Sequence, residues 1–352
     1  MKVDVAIIGG GIAGASLGAA LAPHLRVLLC EAESECGYHS TGRSAAFWHE
    51  GYGGPGVAPL TRLSKPLLDQ GGFLTPRGAI HIARETDVFD IVPGVATKPL
   101  DRAALEAILP GLRPEWTRGL DEEGLADIDV AGLHGRYLAE VRRTGAVRVD
   151  SELVAGEHDD DGWLLTFARG DPVRADIVVN AAGAWADAVA IRCGVAPIGI
   201  APKRRTMVQL RVSQDGLSRL PLVVGAAGDF YFKGEGDRSI WLSPHDEVDT
   251  DPCDSAPEEI DIATAIDRFE QVVDWRVERI ERSWAGLRSF APDRLPVFGF
   301  DARQPGFFWC AGQGGFGIQT APAAAVLCAG LILGDGTPIV DPAAYSPARF
   351  GT

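Results

Sequence analysis

Two glycine-rich turns near opposite ends of the chain have the residue types and spacing to hold a dinucleotide. The first is Gly9-x-Gly11-x-x-Gly14. Gly9 permits a tight turn, Gly11 lets backbone approach a pyrophosphate, and Gly14 allows close packing of helix on strand. Ile12 and Ala13 begin the helix, whose free N–H groups and partial positive charge suit a phosphate. Glu31, 20 residues after Gly11 and followed by Ala32, can accept hydrogen bonds from adenosine ribose hydroxyls. This turn alone does not separate FAD from NAD. The second turn, Gly312-Gln313-Gly314-Gly315-Phe316-Gly317-Ile318-Gln319-Thr320, comes about 300 residues later and again opens a helix. A helix N-terminus aimed at the N1/C2 side of a reduced flavin would stabilise its negative charge. An NAD domain has no need of so late a loop. The pair of turns points to FAD.

These turns need elements to aim them. Val3 to Ile8 is a short apolar run typical of a buried parallel strand. Ala15 to Leu25 reads as helix and Val27 to Glu31 as the second strand, which makes a βαβ start. Gly37 to Gly56 is polar, rich in glycine and irregular. Helix starts are expected at Thr61 and Asp101, an amphipathic helix over 129–144, and a strand over 147–149. A β-meander follows over 152–168, a buried strand over 176–180, mostly strands from 204 to 242, and a helix over 256–273. Because nucleotide-binding segments recur early, midway and late, two interleaved domains are expected. An FAD-binding domain takes residues 1–46, 127–200 and 285–352, and a substrate domain takes 47–126 and 201–284. The fold class is α/β, a Rossmann-like domain beside a mixed, largely antiparallel sheet.

Composition excludes several functions. With 46% hydrophobic and 23% charged residues the chain is an ordinary globular protein, apart from 43 glycines in 352 residues. A net charge of −15 argues against nucleic acid or an acidic membrane surface as partner. Six scattered cysteines without a C-x-x-C pair fit a reducing cytoplasm, and the seven histidines show no metal-ligand spacing, so no metal is expected. The apolar stretches 3–22 and 321–333 read as neither signal peptide nor membrane span. The acidic segment from His245 to Asp254 reads as a solvated loop.

Five segments carry a family resemblance: Gly37-Tyr38-His39-Ser40-Thr41-Gly42-Arg43-Ser44-Ala45-Ala46, Val179 to Trp185, Pro202-Lys203-Arg204-Arg205, Trp284-Ala285-Gly286-Leu287-Arg288, and Gly312 to Thr320. In order and content they resemble the D-amino acid oxidase-like FAD oxidoreductases, most closely the D-arginine dehydrogenase branch. The resemblance implies non-covalent FAD. It places Ser40, Thr41, Arg43, Ser44 and Ala45 along the pyrophosphate and flavin, and Ala182, Gly183 and Trp185 on the adenine side. It makes Arg288 the holder of a substrate carboxylate, Tyr231 a second donor to it, and Tyr52 a loop tyrosine over the pocket. Arg204 or Arg205 completes the anionic pocket. Gln319 and Gly315 sit at flavin and substrate contacts.

One departure bears on substrate. Where the D-arginine dehydrogenase pattern has an acid after Pro-Arg-x, Pro76-Arg77-Gly78 is followed by Ala79, and Phe47 replaces a histidine. A buried cation without a counter-charge is costly. Unless another acid lines the pocket, neutral or apolar side chains are expected. The expected reaction is oxidative deamination of such D-amino acids to 2-oxo acids and ammonia, by hydride transfer from Cα to flavin N5. Oxidation of a secondary or N-alkyl amino acid (sarcosine- or opine-like) is the alternative, and an FAD subunit of a hetero-oligomeric amine dehydrogenase is another. A plain NAD-dependent dehydrogenase ranks third. No general base is evident; His49 qualifies through nearness in sequence alone. The electron acceptor (O2, a quinone or another) and the oligomeric state stay open.

Overall fold

The computed structural model describes residues 1–334 and 338–351. Its chain order holds β1 (Lys2–Ile8), α1 (Ile12–Leu21), β2 (Val27–Cys30), β3 (Ala79–Ala83), β4 (Arg118–Glu122) and β5 (Val173–Asn180). Then come β6 (Ala201–Val212), β7 (Leu222–Gly225), β8 (Tyr231–Gly234), β9 (Ser239–Ser243), β10 (Val277–Phe290) and α2 (Gly317–Leu333), besides shorter pieces.

The first sheet has eight strands among the described residues. β1 lies between β5 and β2, parallel to both, and the strand Phe307–Ala311 continues parallel on the far side of β5. Such strands are buried on both faces and read as unbroken apolar runs, which is why Val5, Ala6 and Ile7 are fully enclosed. α1 and α2 are apolar nearly all round and pack on each other. The strands Leu153–Asp159 and Gly162–Phe167 extend the sheet antiparallel from β5.

The second sheet has ten strands and is antiparallel except where β7 pairs with β3. β6 and β10 form its long ladder, from Ala201 opposite Phe290 to Val212 opposite Val277. Side chains alternate between the faces of a strand. One face therefore carries Val208, Leu210, Leu242, Phe232, Val223 and Ile80, which form a core with Phe269 and Trp275. The other face carries Arg288, Arg205, Met207, Tyr231, Val224, His81 and Glu122, aligned across the paired strands. A chain of α/β class with mixed sheets is what the sequence implied.

Several boundaries differ from expectation. α1 starts at Ile12 and stops at Leu21, because Gly11 takes the N-cap position and Pro23 follows the end. The helix expected from Thr61 spans Ala58–Gln70, with Thr61 inside it. Asp101 does cap its helix, accepting from the Ala104 N–H. The helix expected over 256–273 is Glu259–Glu270. Among the described residues no helix is long and apolar enough to cross a membrane, and the six cysteines form no disulfide.

Candidate active site

A cavity of about 910 Å³ runs from the β1–α1 turn to the polar face of the second sheet. At one end the Gly9 turn closes against β5: with φ of +112°, a Cβ there would lie 2.4 Å from the Ala181 carbonyl oxygen. Gly14 is equally confined, its absent Cβ falling 2.0 Å from the Gly9 oxygen. Glu31 Oε2 accepts from the Gly10 N–H at 2.8 Å, and Oε1 from the Glu33 N–H at 3.0 Å. Thr41 Oγ1 accepts from the Ile12 N–H at 3.0 Å and fixes the Ser40–Ala45 loop over the start of α1. Neither N-cap residue, Gly11 of α1 or Phe316 of α2, supplies a side-chain cap, so apart from the Ile12 N–H taken by Thr41 the first-turn N–H groups are left for a ligand at the cavity. Two helix N-termini on one cavity, each reached through close-packed glycine backbone, fit FAD.

Most residues singled out from sequence line this cavity: Gly9, Gly11, Ile12 and Ala13 on the first turn; Glu31 and Ala32 after β2; Ser40, Thr41, Arg43, Ser44 and Ala45 on the loop. Ala182, Gly183 and Trp185 line it after β5, and Gly314, Gly315, Gly317, Ile318 and Gln319 at α2. Gly14, Gly312, Phe316 and Thr320 stand behind the wall. Phe316 packs with Val57 and Phe290, and the Thr320 hydroxyl donates back to the Phe316 carbonyl. The Arg43 guanidinium is held by protein groups. It donates to the Ser255 and Ala285 carbonyls at 2.7 and 3.2 Å and pairs with Asp254.

At the other end sits a cluster of donors. Arg288 donates through Nη2 to the Tyr52 hydroxyl and through Nη1 to Glu247 Oε1 at 2.8 Å. The two candidate arginines separate by strand parity. Arg204 turns to the helix Glu259–Glu270 and pairs with Glu258 and Asp261. Arg205 lies on the cavity face, 7% exposed, with Nη2 lacking any hydrogen-bond partner. Burial and the neighbouring Arg288 charge lower its pKa. Tyr231 donates to Met207 Sδ at 3.1 Å, and burial raises its pKa, so it stays a neutral phenol. Two guanidiniums and two hydroxyls around one space could hold a carboxylate. Gln319 holds rather than lines it: Oε1 accepts from the His49 N–H, and Nε2 donates to the Tyr52 carbonyl and Thr61 hydroxyl.

The acidic segment after His245 is largely exposed, as expected of a solvated loop, but several of its carboxylates are engaged. Asp246 accepts from the Thr206 N–H and hydroxyl, Glu247 bridges Arg288 and Arg294, and Asp249 pairs with Lys203. Lys203, Arg205 and Arg288 on the paired strands β6 and β10 would repel one another if unpaired, and the carboxylates of Asp249, Asp246 and Glu247 lie against them. His245 donates Nδ1–H to the Gly228 carbonyl; burial, then Arg205, pushes its pKa down to about 3.

The absence of an acid at Ala79 is offset across the ladder, where Glu122 pairs directly with Ala79. Glu122 is 2% exposed, and its Oε2 lies 3.0 Å from Nε2 of both His49 and His81. Burial alone would raise its pKa, but the two imidazole hydrogen bonds outweigh it and hold the carboxyl at about 2. Glu122, His81 and Met207 carried no local sequence signal, because strand pairing alone brings them to the cavity.

Comparison with known proteins gives a consistent result. The profile of the DAO family, described as FAD dependent oxidoreductase, matches residues 4–331. A glycine oxidase of Pseudomonas aeruginosa is 27% identical over 72% of this chain and 69% of its own length. One from Pseudomonas putida is 25% identical over the whole of both chains. In three dimensions, glycine oxidase from Geobacillus kaustophilus superposes with a TM-score of 0.83, at 21% identity and covering 99% of each chain, which speaks for the fold. The expected likeness to the D-arginine dehydrogenase branch is not the one these relatives display.

Proposed function

This chain belongs to the DAO family of FAD-dependent oxidoreductases, and on that premise we propose that it oxidises a small amino acid of the glycine or sarcosine type. The observation that carries the reading is the carboxylate site of Arg288, Arg205, Tyr52 and Tyr231, set against the backbone of the second glycine turn. The glycine oxidase names of the two sequence relatives favour a small primary or N-alkyl amine over a bulky D-amino acid.

FAD, held by the first turn, Glu31, the Ser40–Ala45 loop and the start of α2, supplies the hydride acceptor. The chain's own residues supply orientation. Arg288 and Arg205 take the carboxylate oxygens, and the Tyr52 and Tyr231 hydroxyls fix their plane, which sets the direction of the Cα–H bond. The face of the second sheet keeps these groups rigid, and the Glu247 strap holds Arg288 in place.

The apolar Leu222, Val224 and Met207 on the same wall favour a second reading, a D-amino acid with a neutral side chain. Anaerobic bleaching of the purified yellow protein by glycine, sarcosine, D-alanine, D-leucine and D-arginine decides. Fastest bleaching by glycine or sarcosine is expected. Faster bleaching by D-leucine or D-arginine, or none by any amine, would overturn the proposal.

A further inference from the structure

Apart from the carboxylate site, the cavity wall carries a second polar cluster, His49, His81 and Glu122, whose ligand atoms lie within 4.8 Å of one another. A free amino acid near neutral pH is a zwitterion, and its ammonium nitrogen has no lone pair to assist loss of hydride from Cα. A proton must leave first.

The other groups on the wall are unsuited to take it. Arg205 and Arg288 are cations. Glu247 is bound by Arg288 and Arg294. His245 is directed at Gly228 and protonates at about 3, while the Glu122 carboxylate itself protonates at about 2. His49 differs in its setting. Its ring stacks on Tyr52, centroids 6.2 Å apart and planes 9° from parallel, and the Tyr52 hydroxyl touches Arg288. The ring therefore lies beside the place where the substrate carboxylate is gripped. Its backbone is pinned by Gln319.

We infer that His49 accepts the ammonium proton of the bound substrate, with Glu122 and His81 as the residues that position it. The inference rests on amino-acid oxidation at the site described above. Glu122 accepts the His49 Nε2–H, which leaves Nδ1 as the accepting nitrogen, the way a carboxylate selects an imidazole tautomer in other catalytic sites. In the step the substrate N–H bond breaks, its electron pair stays on nitrogen, and an H–Nδ1 bond forms; nothing is oxidised or reduced. The resulting imidazolium lies against the Glu122 carboxylate, and the proton passes to water as product leaves. Facing His49 are Glu122 from β4, His81 from β3, Tyr52 from its own loop and Gln319 from α2, with Arg205, Arg288, Glu247 and His245 elsewhere on the wall.

The test joins a spectroscopic and a kinetic readout on the FAD-loaded protein. In 15N-histidine NMR, assigned by loss of the signal in His49→Asn, neutral His49 should carry its proton on Nε2. His49→Asn should lower kcat/KM about a hundredfold near neutral pH and recover to within about fivefold above the substrate's ammonium pKa, where no acceptor is needed. Glu122→Gln should show the same alkaline recovery from a smaller loss. An Nδ1–H tautomer, a His49→Asn profile parallel to wild type, or a stoichiometric divalent ion bound by the three groups would each overturn the assignment. Failure of wild type with every amino acid at every pH would instead remove the reading on which it rests.

Discussion

The guanidinium of Arg288 occupies the space in which a side chain on Gly315 would begin: a Cβ there would sit 2.0 Å from Nη2 and 2.1 Å from Nε. The carboxylate holder and the second glycine turn are thus in direct contact, so the substrate site and the start of α2 are one construction. Gly315→Ala should displace the guanidinium from Tyr52 and Glu247. KM for the amino acid and Kd for a simple carboxylate such as acetate should both rise about tenfold or more. Unchanged affinity for both would show that Arg288 lies off the substrate path.

Glu31 accepts from two backbone N–H groups, those of Gly10 and Glu33, and lines the cavity, where we propose that it also meets the ribose hydroxyls. Glu31→Ala removes a charged acceptor from that end of the cavity, and each such hydrogen bond is worth about 1.5–3 kcal/mol. Retention of FAD through gel filtration should fall, with affinity about tenfold weaker or more. Added FAD should raise Tm less than in wild type. Equal FAD content in the two proteins would argue against Glu31 as a cofactor residue.

The pH dependence of stability has a definite sign. A histidine in an unfolded chain titrates near 6.5, whereas His245 in the fold is pushed down to about 3. Between those values the unfolded chain binds the extra proton, so stability is complete above about pH 6.5 and falls as pH drops. Burial shifts His134 the same way. The Glu122 contribution is lost only below about pH 4.5, towards about 2. From 6.5 to 4.5 the histidines therefore dominate. His245→Asn, whose amide can still donate to Gly228, should flatten the fall of Tm across that window. A slope identical to wild type would mean that His245 is not buried as described.

Legibility in the sequence divided along physical lines. The β1–α1–β2 unit was readable because its signals are contiguous: an apolar run, three spaced glycines and an acid. The second glycine turn and the start of α2 were readable for the same reason. Thr61 misled, since a threonine before a helical pattern looks like a cap; here its hydroxyl donates to Val57 within the helix and accepts from Gln319. Glu122 was invisible because its meaning comes from pairing with Ala79, and no local pattern sets that register. The same is true of the acidic segment from His245, whose charges look solvated until β6 and β10 bring three cations beneath it. The substrate expectation rested partly on the residue after Gly78, where a single position stood in for a whole pocket wall that also holds Glu122.

Arg204 and Arg205 offer the sharpest internal control, since consecutive residues of β6 must point to opposite faces. Arg204 reaches Glu258 and Asp261 at the start of the helix Glu259–Glu270, whereas Arg205 reaches the cavity, its Nη2 without a hydrogen bond and 3.6 Å from Glu247 Oε1. Replacement by Met keeps most of the volume and removes the charge in each case. Arg204→Met should lower stability by about 1–3 kcal/mol by stranding the partly buried Asp261, the partner Glu258 being exposed enough to rehydrate. Its KM should stay within about twofold of wild type. Arg205→Met should do the reverse: it removes the repulsion with Arg288 along with the bond to the Asp246 carbonyl, so Tm should change little, while KM rises about tenfold to a hundredfold. Thermal melts and steady-state kinetics on the pair distinguish the roles. Similar KM values in both variants would mean that the polar face of the second sheet does not grip the carboxylate, and the orientation argument would fail with it.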